Sequence, residues 1–443
     1  MRLRLSELAT ACGGRVRGAD VVVDGASFDS RSLQPGQLFV PVAADRDGHA
    51  FVGAAIDAGA TAYLTSAGVV DDRVPAVDVA DTAAALMALG PLARSRLGDR
   101  VVGVTGSVGK TSVKDLTHAV LARHYRTTSN PRSFNNELGL PTTMLGAPDG
   151  TEAVVLEMGM RGFGEITRLC RVASPTVGVI SVIGEAHIGR VGGTIEGVAR
   201  AKGELVAALP ATGVAILNAD QAVCLALADR TTARVLTFGA TAGDVRADAI
   251  ELDDMARPRF TLATPWGSAV VQLAITGAHM AVNAAAAAAV GLVLDVPLAE
   301  VVAGLEGATL SPWRMEVART PSGALVVNDA YNANPTSMAA ALEALAALPA
   351  TGRKVAVLGP MAELGDDAPE RHVAMAALAR SLELPVMAVG TPDYGDGPGV
   401  TRFDDIDGAV AALGELGADD AVLVKGSRVA GLERLAERLL RPR

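Results

Sequence analysis

The sequence predicts an α/β protein of three domains, the central one a parallel sheet with added antiparallel strands. Three observations carry this reading. The chain has 443 residues, more than one hydrophobic core usually serves. Short apolar runs alternate with segments of helical period, the pattern of βαβ units and a parallel sheet. That alternation breaks once, between residues 234 and 276, where four strand-like runs follow one another.

Residues 1–98 open with short strands and turns in VVVDGASFDSRSLQPGQLFVPV, then a helix-like FVGAAIDAGA and the strand AYLTS. RLGDR, Arg96–Arg100, reads as a polar linker. In residues 99–313 the strands VVGVTG, EAVVLEMG, TVGVISVIG and GVAILNAD alternate with helices. RVLTFGA, DAIELDD, RPRFTLATP and SAVVQLAIT then read as successive antiparallel strands. Residues 314–443 return to α/β with LVVNDAY, KVAVLG, PVMAVG and AVLVKG. Each of these runs ends in a polar or glycine-rich turn, where open α/β sheets bind ligands.

Composition narrows the function. Half of the residues are apolar and a fifth are charged, which suits a well-packed protein. A net charge of −10 opposes a general nucleic-acid binder, so no nucleic-acid partner is expected. Anionic ligands must then be gripped by local groups. Cys12, Cys170 and Cys224 are isolated, which leaves neither a disulfide framework nor a zinc cluster. The start, MRLRLSELATACGG, is too polar for a signal peptide, and no run spans a bilayer; AVNAAAAAAVGLVL reads as a buried helix. A cytoplasmic monomer is the expectation.

GVTGSVGKTS, Gly103–Ser112, follows an apolar strand and opens a helix. This is the layout of a phosphate-binding loop, with backbone N–H groups on phosphate oxygens, Lys110 offsetting charge and Thr111 available to Mg²⁺. A strict pattern wants glycine where Val104 stands, so the loop is a TGxxGKT variant. A guanine-reading NKxD motif is missing; its nearest candidate, Leu217–Asp220, lacks the lysine. Glu157 ends a buried strand, well placed to ligate Mg²⁺ beside the loop. His187 follows another buried strand, although a lone histidine is commonly structural. Lys202, by itself, reads as an exposed helix lysine. Asn135 and Asn136 suit recognition of amide or sugar groups, or plain turn chemistry. His279 and Asn283 share a helix face, four apart. Asn328–Leu342 packs Asp, Tyr and Asn after a strand and starts a helix containing Ser337. Arg314 falls at a domain junction, where it can reach phosphate across a cleft or form an interdomain ion pair.

The ordered strings TGSVGKTS, NNELGLP, LEMG, GEAHIG, ARAKGEL, GAHMAVNA, WRME, NDAYNANPTSM, GPMAELG and VKGSR closely resemble the ATP-dependent Mur ligases along essentially the whole chain. The TGxxGKT variant is what that family shows. The resemblance implies a small α/β domain for the UDP substrate, a phosphate-loop ATPase-like central domain and a Rossmann-like carboxy-terminal domain. DAYNANPTSM and MAELGDDAPERH point to the branch that joins D-alanyl-D-alanine to UDP-N-acetylmuramoyl-tripeptide in peptidoglycan synthesis.

On named positions, the resemblance implies that Asp29, Ser30 and Arg31 contact the uridine nucleotide. It places Thr105, Gly106, Ser107, Val108, Gly109, Lys110, Thr111 and Ser112 on ATP phosphates. Thr111, Glu157, His187 and Lys202 would serve two Mg²⁺ ions, Lys202 as a CO₂-derived carbamate. Asn283 and His279 would lie at adenine, and Arg314 and Asp329 would reach the nucleotide. Asn135, Asn136, Tyr331, Asn332, Asn334, Ser337 and Glu363 would contact substrate. Catalysis would rest on Lys110, Lys202, Glu157 and His187. The chain departs from the family pattern at Met280, where asparagine is frequent, and at Gly189, where acids are frequent. The rival readings are a Mur-type ligase for another acid, a regulatory phosphate-loop NTPase and a non-catalytic nucleotide binder. Domain closure is expected to hinge near Arg96–Arg100 and Ser311–Arg314.

Overall fold

Runs of β-branched and aliphatic residues bounded by glycine set the strands of a mixed α/β fold with three main sheets. The computed structural model describes residues 1–43, 46–131, 134–362 and 364–441. The amino-terminal sheet orders strands Arg15–Arg17, Ala76–Asp78, Ala62–Thr65, Leu38–Phe39 and Ala26–Ser27. Its first pair is antiparallel and the rest are parallel. The helix Thr82–Arg94 closes this unit, its amino end capped by the Asp81 carboxylate, which accepts from Ala83 and Ala84 N–H.

The central sheet has nine strands, with Arg100–Thr105 between Val177–Ile180 and Ala153–Glu157. These pairings are parallel, and Glu157 stands opposite Val104 in register. Register therefore delivers the Glu157 carboxylate to the edge from which the phosphate loop departs. The runs after residue 234 do not form a separate sheet: they continue this one. Arg234–Gly239 pairs in parallel with Val214–Asn218 and so belongs to the parallel part. Val245–Leu252 starts parallel to Arg234–Gly239 and is antiparallel only to Pro258–Thr264, which in turn pairs antiparallel with Gly267–Gln272.

The Ala-rich run is the helix His279–Val293, with Ala284–Ala289 fully buried. Small side chains let it lie close against the phosphate-loop helix Lys110–Leu121, in a shared core. The carboxy-terminal sheet orders Glu316–Arg319, Leu325–Asp329, Ala421–Lys425, Lys354–Leu358, Val386–Val389 and Val400–Phe403. Only its first pair is antiparallel. Parallel register sets Asp329 opposite Lys425 at the carboxyl edge. Among the described residues, no helix is long and apolar enough to cross a membrane.

Candidate active site

The phosphate loop turns through two glycines of positive φ, Gly106 at 154° and Gly109 at 83°. Gly109 is needed twice over, because a Cβ there would also lie 2.8 Å from Asn283 Oδ1. Asn283 thus sits directly under the loop, carried there by the close-packed Ala-rich helix. Its Nδ2 lies 3.5 Å from Met280 Sδ, so the methionine that departs from the family pattern supports this side chain. The second departure, Gly189, has open space where a side chain would go. Lys110 folds back to donate to the Ser107 carbonyl at 3.1 Å. Ser107 itself is locked to Gly184, whose carbonyl and N–H bond its hydroxyl at 2.8 and 2.9 Å.

The buried Glu157 carboxylate accepts from Thr111 Oγ1 at 2.6 Å and from Asn135 Nδ2 at 2.7 Å. Its backbone is clamped by Asn130, which accepts from Glu157 N–H at 2.8 Å and donates to its carbonyl at 3.2 Å. Gly159 makes room for this arrangement: a Cβ there would fall 2.9 Å from Asn135 Cγ. Gly159→Ala should leave folding nearly intact, since the amide end of Asn135 can swing away. Released from Asn135, Glu157 loses one of its two orienting bonds, and the ATP-dependent rate should fall about tenfold. A wild-type rate with an unchanged melting temperature would remove that role for Asn135.

Lys202 ends the helix Ile195–Lys202 and is 1% exposed, which overturns the reading of an ordinary surface lysine. His187 lies nearby in a left-handed turn, φ 63°. Burial, followed by the charges of Lys202 and Lys110, pushes its pKa down to about 4. Its imidazole is therefore neutral near pH 7, the form that ligates metals. Among the described residues no three His, Cys, Asp or Glu side chains cluster as a metal site. The donor set of Thr111 hydroxyl and Glu157 carboxylate fits Mg²⁺ nonetheless, because that ion is commonly held by one or two carboxylates plus substrate phosphates.

From the carboxy-terminal sheet come Asp329 and Lys425, an ion pair in which Lys425 is 1% exposed and also donates to the Asn332 carbonyl at 2.9 Å. The Arg314 guanidinium stacks over the Tyr331 ring at 4.3 Å. It forms no interdomain ion pair among the described residues, and its buried Nε has no hydrogen-bond partner there. Arg314 is itself one of the residues lining the cavity that the phosphate loop borders. Gly277, at φ 109°, lies beneath the His279 ring. Burial, ahead of any charge, lowers the pKa of His279.

The functional side chains among these groups border one cavity of ≈ 630 Å³. It is lined by Ser107–Ser112, Glu157, His187, Lys202, His279 and Asn283, and by Arg314, Asp329, Tyr331, Asn332, Asn334 and Ser337 from across the cleft. Asn135 and Asn136 border it too. Several polar groups there have a local task as well. Asn136 Oδ1 accepts from Leu138 and Gly139 N–H, the turn chemistry that competed with substrate recognition. Asn334 and Ser337 form a reciprocal capping box on the helix Pro335–Ala347.

Other expected residues lie elsewhere. Thr105 and Gly106 are behind the cavity wall, Thr105 Oγ1 being bound to the Met158 carbonyl at 2.7 Å. Asp29, Ser30 and Arg31 do not reach the cavity either. Arg31 pairs with Asp29 at 2.7 Å and holds its carboxyl below the usual range. The adjacent Phe28 ring contacts Phe134 at 5.2 Å between centroids, one residue before Asn135. Glu363 lies outside the described residues. Sequence reasoning passed over Asn130 and Lys425. Lys425 carried a signal, a lysine closing a strand of buried aliphatics; Asn130 carried none.

Two family models match: the Mur ligase middle domain over residues 104–291, and the Mur ligase glutamate ligase domain over residues 313–428. The UDP-N-acetylmuramoyl-tripeptide--D-alanyl-D-alanine ligase of Mycobacterium bovis is 38% identical, covering 99% of this chain and 98% of its own. A crystal structure of MurF from Acinetobacter baumannii superimposes with a TM-score of 0.89 at 30% identity, covering 99% of both chains. MurF ligase from Thermotoga maritima, in complex with ADP, gives 0.82 at 27% identity, covering 94% of this chain and 97% of that one. With a phosphate loop, a buried carboxylate and a buried lysine meeting a second domain in one cavity, and with relatives matching end to end, the chain belongs to the Mur ligase family.

Proposed function

We propose that this protein is an ATP-dependent amide ligase that joins D-alanyl-D-alanine to UDP-N-acetylmuramoyl-tripeptide, making a peptidoglycan precursor. The observation that carries it is the single cavity shared by the phosphate loop, Glu157 and Lys202 on one side and Arg314, Asp329 and Tyr331 on the other. The end-to-end likeness to ligases named for that reaction supports the choice of substrates.

A carboxylate is a poor electrophile, so the tripeptide carboxylate first attacks the γ-phosphorus of ATP, and ADP leaves. The dipeptide amine then attacks the acyl phosphate carbon, forming the amide and releasing phosphate and a proton. Lys110 and the amino end of its helix hold the phosphates. Mg²⁺, when bound, offsets charge developing on the transferred phosphoryl group. Thr111 and Glu157 would hold one ion. His187 and Lys202 would serve a second, with Lys202 as its carbamate. Four cationic groups, Lys202, Lys110, Arg161 and Arg190, act on the same imidazole, and conversion of Lys202 to an anion would relieve part of that crowding. Arg314 and Asp329, which line the cavity from across the cleft, would reach the nucleotide. Residues 1–98 would hold the UDP moiety through Asp29–Arg31, with the Phe28–Phe134 contact joining that segment to Asn135 and Asn136.

The test is phosphate release from ATP with the UDP-tripeptide, with and without D-alanyl-D-alanine, together with product mass. Release that needs both, with a product heavier by the dipeptide less water, is expected. Release indifferent to both substrates would overturn the reading in favour of a regulatory NTPase. Release driven by a different acid would reassign the acceptor.

A further inference from the structure

Lys114 is a buried lysine that the chemistry above does not use. It lies one turn beyond Thr111 on the phosphate-loop helix and is 2% exposed. Its Nζ donates to the Asn130 carbonyl at 2.9 Å and pairs with Asp115 Oδ1 at 2.8 Å. The other oxygen of Asp115 accepts from Ser311 N–H at 2.7 Å. Ser311 opens the linker between the central and carboxy-terminal sheets, so this bond ties the linker to the central domain.

Two residues later the chain is held by the other side. Arg428 stacks over the Trp313 ring at 4.3 Å, Tyr331 N–H donates to the Trp313 carbonyl at 3.3 Å, and Met315 N–H donates to Asp329 Oδ1 at 3.1 Å. Trp313 and Met315 both adopt left-handed backbone, φ 63° and 50°. Such strain in non-glycine residues persists only where the surroundings enforce it. Between the two anchors stands Pro312, exposed. Its ring fixes φ, so relative rotation of the two domains must fall on the few torsions flanking it.

We propose that Lys114 and Asp115 are positioning residues that couple this pivot to the metal side of the site. The path is contiguous: Ser311 to Asp115, Asp115 to Lys114, Lys114 to Asn130, and Asn130 to both backbone groups of Glu157. Glu157 in turn holds Thr111. Breaking a buried ion pair is strongly unfavourable, so displacement of Asp115 pulls on the Lys114 head group. Movement of the linker about Pro312 would therefore reach the loop that fixes Glu157. The proposal rests on the ligase reading for its purpose, because closure would exclude water from the acyl phosphate.

The test compares Asp115→Ala, Lys114→Met, the double variant and the near-isosteric Asp115→Asn with the parent protein. Binding of a non-hydrolysable ATP analogue is titrated against Mg²⁺, and compaction on binding is followed by small-angle scattering. Each variant, Asp115→Asn included, is expected to raise the half-saturating Mg²⁺ concentration about five- to tenfold and to reduce compaction. The double variant should be no worse than the weaker single, as for residues acting in one path. A parental Mg²⁺ requirement and compaction in the folded variants would overturn the proposal, even if melting temperatures fell. Additive effects in the double variant would overturn it too. Because the readouts need no acceptor, failure of the parent to ligate D-alanyl-D-alanine would count against the ligase reading alone.

Discussion

Lys202→Ala is expected to lower the rate of ligation by at least about 10²–10³-fold, the range seen when a preorganised charge at a transition state is removed. Added bicarbonate should not restore it, since the amine that would take up CO₂ is gone. Two companions separate the roles open to this residue. Lys202→Arg keeps a cation but forms no carbamate under these conditions, and it should be nearly as inactive as alanine. Lys202→Glu supplies an anionic oxygen on a shorter arm and should retain more activity than arginine. Full activity in Lys202→Arg would show that a cation suffices and would remove the carbamate from the mechanism. The position is 1% exposed, so each variant is checked first for its melting temperature.

Glu157→Gln should retain the fold and lose the chemistry. A glutamine oxygen can still accept from Thr111 Oγ1 or from Asn135 Nδ2, the two bonds now made at 2.6 and 2.7 Å. What disappears is the negative charge, in a place where water does not screen it. The expected result is a kcat at least about 10²-fold lower and a clear rise in the Mg²⁺ needed for half-maximal phosphate release. An unchanged Mg²⁺ requirement would move the metal away from Glu157. Kinetics of the parent and of Glu157→Gln at saturating ATP would then distinguish lost metal binding from lost nucleotide binding.

How far the sequence alone reaches can be judged at particular residues. The phosphate loop was legible because its function is local: strand, two glycines, lysine and threonine lie within the twelve residues Arg100–Thr111, and Gly109 takes positive φ. The βαβ alternation was legible for the same reason, since apolar period reports burial directly. Arg234–Gly239 was misassigned to the antiparallel run because a strand's own residues do not say which way its neighbour points. Lys202 shows the limit most sharply. By composition and spacing it is a helix lysine like any other, and only the packing of its helix end against the cavity buries it beside His187.

The motif residues themselves also needed the fold to be sorted. Asn135 and Asn136 are adjacent and chemically identical, yet one orients Glu157 while the other caps a turn. Lys425 and Asp329 stand 96 positions apart and meet because parallel register sets their strand ends side by side. Asn130, fully buried, acts through backbone groups 27 residues away. The phosphate loop and the fold class could be read from the chain because they depend on short-range pattern, and the family because its short motifs recur in order along the whole chain. Tertiary structure alone decided which polar groups face the cavity, which are spent on turns and caps, and which buried charges are paired, because burial and partnership are properties of the packed chain and not of neighbours along it.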